Sequence, residues 1–202
     1  MPNWCLNRLV LTGPEDVIQE IVDSKLELQK LFPCPDLTKW YEWNVANWGT
    51  KWDIGPINNL SYEKIDKEYV IDITFDSAWS PPVEAMKKLF DLYQKRGLNL
   101  EMEYFEPGCA FLGKCSTTDG DFDDQYFDYS SLKELKKYVK MLNHDLALNE
   151  IDYMEESAKE LAEFEKEEKK KTIKKPAVKK AIKKVAVKKV PKKKAIKKTI
   201  KK

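Results

Sequence analysis

The sequence predicts an α+β fold: an antiparallel sheet of the split βαβ kind with helices on one face, extra strands and a helix, and a disordered C-terminal tail. Three observations carry that prediction. Alternating β-branched and aromatic segments at residues 5–12, 69–75 and 98–105 read as strands. Between them lie segments whose apolar residues recur three and four positions apart, the spacing of a helix packed on a sheet. The composition then changes abruptly at Lys169, beyond which 34 residues hold 18 lysines and no acid.

Residues 5–12 (CLNRLVLT) form a partly alternating apolar run that Gly13-Pro14 ends. Pro14, Glu15 and Asp16 open a helix with Val17, Ile18, Ile21 and Val22 on one face, and its two acids suit the positive end of the helix dipole. LFPCP at 31–35 breaks it. A tryptophan-rich stretch follows, with a short helix expected over 40–45 and an irregular or extended WGTKWDI after it. Residues 69–75 (YVIDITF) read as a strand. Pro81 and Pro82 precede the next helix, where a missing N–H costs nothing, and Val83, Met86, Leu89, Phe90 and Tyr93 form its stripe up to a C-cap at Gly97. Residues 98–105 (LNLEMEYF) alternate strictly. Further strands are expected at 109–115 and 125–129, flanking an acidic turn, TTDGDFDD. A helix from Ser131 to about Leu148 places Leu132, Leu135, Val139 and Leu142 together. The order β-α-(β)-β-α-β makes one domain of residues 1–149.

Residues 150–168 carry nine acids against two lysines, with a thin stripe of Ile151, Met154, Ala158, Leu161 and Phe164, and read as an acidic helical linker. Residues 169–202 are the third segment. The formal net charge of +2 hides this division. Taking the 18 tail lysines from the 36 Lys+Arg leaves 18 bases against 34 acids in residues 1–168, a net of −16 joined to a tail of +18.

In the tail, lysine pairs begin at Lys174, Lys179, Lys183, Lys188, Lys192 and Lys197, in alternating steps of four and five residues. Such a step does not hold lysines on one face of a 3.6-residue helix. Pro176 and Pro191 add breaks, and no aromatic residue is present to build a core, so the segment is expected to be disordered when free. Lys174, Lys175, Lys179, Lys180, Lys183, Lys184, Lys188, Lys189, Lys192, Lys193, Lys194, Lys197 and Lys198 are the expected nucleic-acid contacts. Lysines that meet phosphates release condensed counterions, which gives affinity without base contacts. In its Lys, Ala, Val, Pro and Thr composition the tail resembles linker-histone tails, a resemblance of binding mode. A solvated solubility tail, a tail folded back on the acidic body and an address signal remain alternatives; an anionic membrane fits less well, for want of an inserting face.

Six tryptophans stand in the first eighty residues. Core packing is one reading, since large aromatics carry much of the buried area of a small domain. The other is that Trp48, Lys51, Trp52 and Trp79 line a shallow groove that stacks a ligand or holds a peptide. The opening MPNWCLNRLVLTG, the NWGTKWD of 47–53, the FDSAWSPP of 75–82 and the YFEPGCAFLG of 104–113 resemble the YubB-like proteins of phages and plasmids, over about residues 1–130. The resemblance implies a ferredoxin-like domain of no established activity, no iron–sulfur cluster, and a mobile-element or viral origin. The tail departs from that family's usual chain.

Chemistry is sparse elsewhere. Asp119, Asp121, Asp123, Asp124 and Asp128 invite a calcium loop, but Asp124 stands where an EF-hand needs glycine and Ser130 where it needs a bidentate glutamate. Cys5, Cys34, Cys109 and Cys115 lack CxxC spacing and read as reduced thiols; the one histidine, His144, sits on the expected helix 131–148 without a cysteine near it, so no metal site is assigned. No nucleophile elbow, GxGxxG or P-loop occurs, and no catalytic or cofactor residue is named. Glu101 and Glu103 share a strand face, as ion-pairing carboxylates also do. No apolar run approaches the roughly 20 residues of a membrane span, and the N-terminus does not resemble a signal peptide. The expected setting is intracellular, in a virion or a host nucleus or cytoplasm.

The leading expectation is a non-enzymatic nucleic-acid-associated protein, with the tail on the DNA or RNA backbone and the folded domain on an unknown protein or peptide partner. Two alternatives stay open: a peptide-binding adaptor whose tail is a localisation signal, and a metal-dependent enzyme.

Overall fold

The structure, a computed structural model, describes residues 3–185, with side chains as far as Lys169. Its sheet grows from β1 (Trp4–Gly13), which pairs on one side with β3 (Glu68–Ala78) and on the other with β4 (Asn99–Glu106). The registers run from Trp4↔Ala78 to Gly13↔Tyr69 and from Leu6↔Phe105 to Thr12↔Asn99. β2 (Glu63–Ile65) adds to the outer edge of β3, and β5 (Phe111–Thr118) and β6 (Asp121–Asp128) add beyond β4. The order is β2-β3-β1-β4-β5-β6, and every neighbouring pair is antiparallel. Hence β1 and β2 run parallel with β3 between them, and β3 and β4 run parallel with β1 between them. Two interleaved split βαβ units give that order.

Alternation along β1 sends Cys5, Leu9 and Leu11 to the first face, where they are fully buried. Against them pack Val17, Ile18 and Ile21 of α1 (Glu15–Ser24) and Ala85, Met86 and Leu89 of α4 (Val83–Tyr93), the two helices of that face. Burying each such aliphatic side chain contributes about 1.5–3 kcal/mol before entropy is counted. Arg96, just past α4, bonds Asp16 and Glu20 of α1 at 2.7–2.9 Å, tying the exposed sides of the two helices together.

The additional helix covers the opposite face. Leu135 and Val139 of α5 (Leu132–Leu142) pack on Phe105, Leu112 and Tyr129, with Ile151 and Met154 of α6 (Leu148–Val185) at the margin. Ser131 caps α5, its hydroxyl accepting the Glu134 N–H, while the Glu134 carboxylate reaches back to the Ser130 N–H at 2.9 Å.

Several elements differ from expectation for local reasons. Asn143 takes a left-handed conformation (φ 49°) and its N–H caps Val139, so the expected helix 131–148 ends at Leu142 and His144 lies in the connection to α6. The acidic turn shrinks to Asp119 and Gly120, both at positive φ (54° and 88°), the geometry of a two-residue hairpin loop. Asp121, Asp123, Asp124 and Asp128 are therefore strand residues of β6. Cys109 stands before β5, in the turn that leads to it. The tryptophan-rich helix, α3 (Trp40–Trp48), runs three residues further than expected and stops at Gly49 (φ 83°). A short α2 (Leu28–Leu31) precedes it. Helical backbone continues past the acidic linker to Val185, so residues 169–185 depart from the expected disorder and Pro176 does not end the helix, lysine and alanine extending one already begun. Contacts divide the chain into two units after Glu155, and the first holds the whole sheet. Among the described residues no helix is long and apolar enough to cross a membrane.

Candidate functional site

The start of β1 and the end of β3 meet at one end of the sheet, and the chain gathers exposed aromatic rings there. Trp4 opposes Ala78 in the ladder. The Ala78 carbonyl also accepts the Thr50 hydroxyl at 3.0 Å and the Lys51 N–H at 3.5 Å, which fastens the segment after α3 to the strand end. Asn44 of α3 holds the Lys51 carbonyl at 3.0 Å. Asp53 accepts the N–H groups of Leu28, Gln29 and Gly55 at 2.8–3.0 Å, so its carboxylate is committed to backbone.

Held this way, the Trp52 ring lies 6.0 Å from Trp4 at an angle of 53°. The Lys51 ammonium sits 4.8 Å over the Trp52 ring and 5.8 Å from that of Tyr41, which Trp40 meets edge-on. Each exposed cation–π contact is worth about 0.5–1 kcal/mol. Trp79 follows Ala78 directly, at φ 74°, its N–H donating to the Asn3 carbonyl at 3.0 Å. An aromatic residue at positive φ costs about 1–3 kcal/mol and persists only where its surroundings hold it. Trp4, Tyr41, Trp52 and Trp79 are 47%, 49%, 39% and 46% exposed, although rings of this size are ordinarily well buried.

Of the predicted groove, the structure brings Lys51 and Trp52 together and sets Trp79 at the adjoining strand end. Trp48 is a correction. It is 2% exposed, its indole N–H donates to the Phe32 carbonyl at 3.0 Å, and Trp43 packs edge-on against it, so it belongs to the core. Trp4 and Tyr41 take its place in the patch. Trp4 could have been read from the alternation of β1, being in phase with Arg8 rather than Leu9. Tyr41 could not, because α3 has no clear apolar face. Among the predicted phosphate contacts, Lys174, Lys175, Lys179, Lys180, Lys183 and Lys184 fall on the helical backbone of α6. Lys188, Lys189, Lys192, Lys193, Lys194, Lys197 and Lys198 lie outside the described residues.

A second cluster occupies the sheet face under α5. Arg8 makes a two-pronged bond to Asp72 at 2.8 and 3.0 Å and reaches Asp145 at 3.3 Å, holding the Asp72 carboxyl below the usual carboxylate range. Lys114 lies 2.7 Å from Glu101 and 3.6 Å from buried Glu103, so the two carboxylates singled out by spacing are ion-pair partners. His144 is buried, with Nε2 3.0 Å from the Tyr104 carbonyl, which fixes the proton on Nε2 in the neutral ring. Its Nδ1 has no hydrogen-bond partner and lies 3.9 Å from the Glu103 carboxylate. Burial lowers the His144 pKa, and the pull of Glu103 does not overcome it.

That sets a pH dependence with a definite sign. Below the ordinary value of 6.5 the unfolded chain binds a proton that the folded one refuses. Stability is therefore expected to fall as pH drops through 6.5 toward the lowered folded value. The chain has one histidine, so His144→Gln should flatten the profile in that window. Asp124 cannot mimic the loss: burial raises its pKa, which favours the fold as pH falls. Denaturant titrations from about pH 8 to about pH 5 check this.

The four cysteines are free thiols. Burial pushes Cys5 up to about 12 and Cys115 higher still, and a hydrogen bond with Glu106 raises exposed Cys109. None of these three is a ready thiolate at neutral pH. Among the described residues no three His, Cys, Asp or Glu side chains converge to hold a metal ion.

Residues 59–145 match the family model of the ferredoxin-like domain in Api92-like protein. The fold is ferredoxin-like. The match begins just before β2 and ends after α5, while β1, which completes the sheet, lies ahead of it. Among solved structures, the crystal structure of a protein api92 from Yersinia pseudotuberculosis is 22% identical over 46% of this chain, at a TM-score of 0.33. The alignment covers 30% of that protein's length. No curated protein matches the sequence.

Proposed function

We propose that this is a nucleic-acid-associated protein in which the lysine-rich segment grips the phosphate backbone and the ferredoxin-like domain docks a partner at its aromatic patch. The observation that carries the proposal is the charge division: +18 with no acid over residues 169–202, against −16 over 1–168. A body of that net charge repels phosphate overall, so the electrostatic share of the contact falls to the tail lysines, and their linker-histone-like chemistry suits backbone binding without base readout. YubB-like kinship, with its viral or mobile-element setting, is part of the same proposal. The folded unit's exposed rings, on a segment fastened by Thr50, Asn44 and Asp53, supply the face for binding.

The test is binding of a mixed-sequence oligonucleotide at physiological salt by the full chain and by a chain ending at Glu168. The full chain is expected to bind and the shortened one to fail. Equal affinity would remove the lysines from the function.

A further inference from the structure

We infer that the patch of Trp4, Tyr41, Lys51, Trp52 and Trp79 is a stacking platform for unpaired bases, so that the protein prefers single-stranded nucleic acid to duplex. The inference rests on the nucleic-acid reading above and names what the patch takes.

Three features point to bases. The rings are exposed and not stacked on one another: Trp52 and Trp4 stand 6.0 Å apart and tilted, and a base that stacks on Trp52 displaces the Lys51 ammonium from over its ring. Every base has such a face, and stacking on tryptophan tolerates any sequence. Lys51 supplies a cation at the rings, where a backbone phosphate would follow a stacked base. Charge complementarity selects the polymer, because a chain with 18 lysines in its last 34 residues already favours a polyphosphate. Duplex DNA keeps its base faces stacked inside, so the platform discriminates against it and the lysines do not.

Positive φ at Trp79 gives a variant that separates ring from fold. Glycine adopts φ 74° without strain, so Trp79→Gly removes an exposed ring while easing the backbone. Trp52→Ser removes the ring under Lys51. Both are made in the full chain, and their melting temperatures are compared with the parent. Labelled oligothymidylate and a duplex of equal length are titrated against each, and against a full chain with the tail lysines changed to glutamine. The expected result is a loss of roughly tenfold per ring for the oligothymidylate, with duplex affinity and salt slope unchanged. Single-strand affinity that is unaltered in both ring variants, yet abolished by the glutamine variant, would overturn the platform and leave the proposed function standing. Such an outcome assigns the rings to another partner, a peptide among them. Failure of the parent chain to bind either nucleic acid at low salt would overturn the proposed function and the platform with it.

Discussion

Gly113→Ala is expected to be the most destabilising of the glycine-to-alanine changes, lowering stability by about 3 kcal/mol or more. Gly113 of β5 lies opposite Tyr104 of β4. The buried Tyr104 ring crosses over it to reach the next strand, where its hydroxyl donates to Asp124 of β6 at 2.7 Å. A Cβ on residue 113 would fall inside the Tyr104 Oη and Cζ and 2.5 Å from the Gln125 carbonyl. The ring cannot swing aside cheaply, because it is packed edge-on by Phe111 and bonded at its tip. The carbonyl belongs to the β5–β6 ladder and cannot move at all without breaking it. Overpacking and the lost hydrogen bond together set the magnitude. Thermal melting of the two proteins checks it, with a fall of about 10 °C expected for a domain of this size. Adding Tyr104→Phe should not restore the loss, since Cζ still occupies the space.

The second large effect lies in the tail. Changing Lys174, Lys175, Lys179, Lys180, Lys183 and Lys184 together to glutamine removes six positive charges from α6. Glutamine and lysine have similar helix propensity, so the backbone through Val185 should be kept. If all six meet phosphates, the slope of log K against log[salt] should become shallower by about 5, and affinity near 50 mM salt should drop by several orders of magnitude. Electrophoretic or anisotropy titrations over a salt series read both quantities. An equal drop at every salt concentration would mean a conformational loss rather than lost charges.

These expectations show where local pattern was enough and where it was not. β1, β3 and β4 were legible because each sends alternate residues to the helix-covered face, as in Cys5, Leu9 and Leu11. α1 and α4 were legible because their apolar stripes face one sheet. β2 was expected from the element order but not located, because Glu63, Lys64 and Ile65 are all exposed and no alternation marks a strand held only by pairing to β3. The end of α5 at Leu142 rather than Leu148 depends on one left-handed residue, Asn143, in a sequence whose apolar spacing continues through it. Length and the aspartates made the β5–β6 connection look like an acidic loop, yet Asp119-Gly120 alone makes the turn.

The site divides in the same way. Lys51 and Trp52 are adjacent in sequence, and Trp79 is fixed to the same end by the β1–β3 register, so three of the four groove residues could be found from local signals. Trp48 could not be told from Trp52 by residue type. The difference is tertiary: the Phe32 carbonyl lies within reach of the Trp48 indole, on the inner side of α3. The Arg8, Glu103, Lys114 and His144 cluster joins β1, β4, β5 and the turn after α5, and no spacing in the chain announces it. The charge division needed no structure to see.

The measurement that bears most directly on the central claim is the affinity of the full chain for a duplex oligonucleotide across a salt series. Binding is expected to weaken steeply, with log K falling against log[salt] at a slope near −5 if about six lysines engage. Binding that ignores salt, or none at low salt, would contradict it.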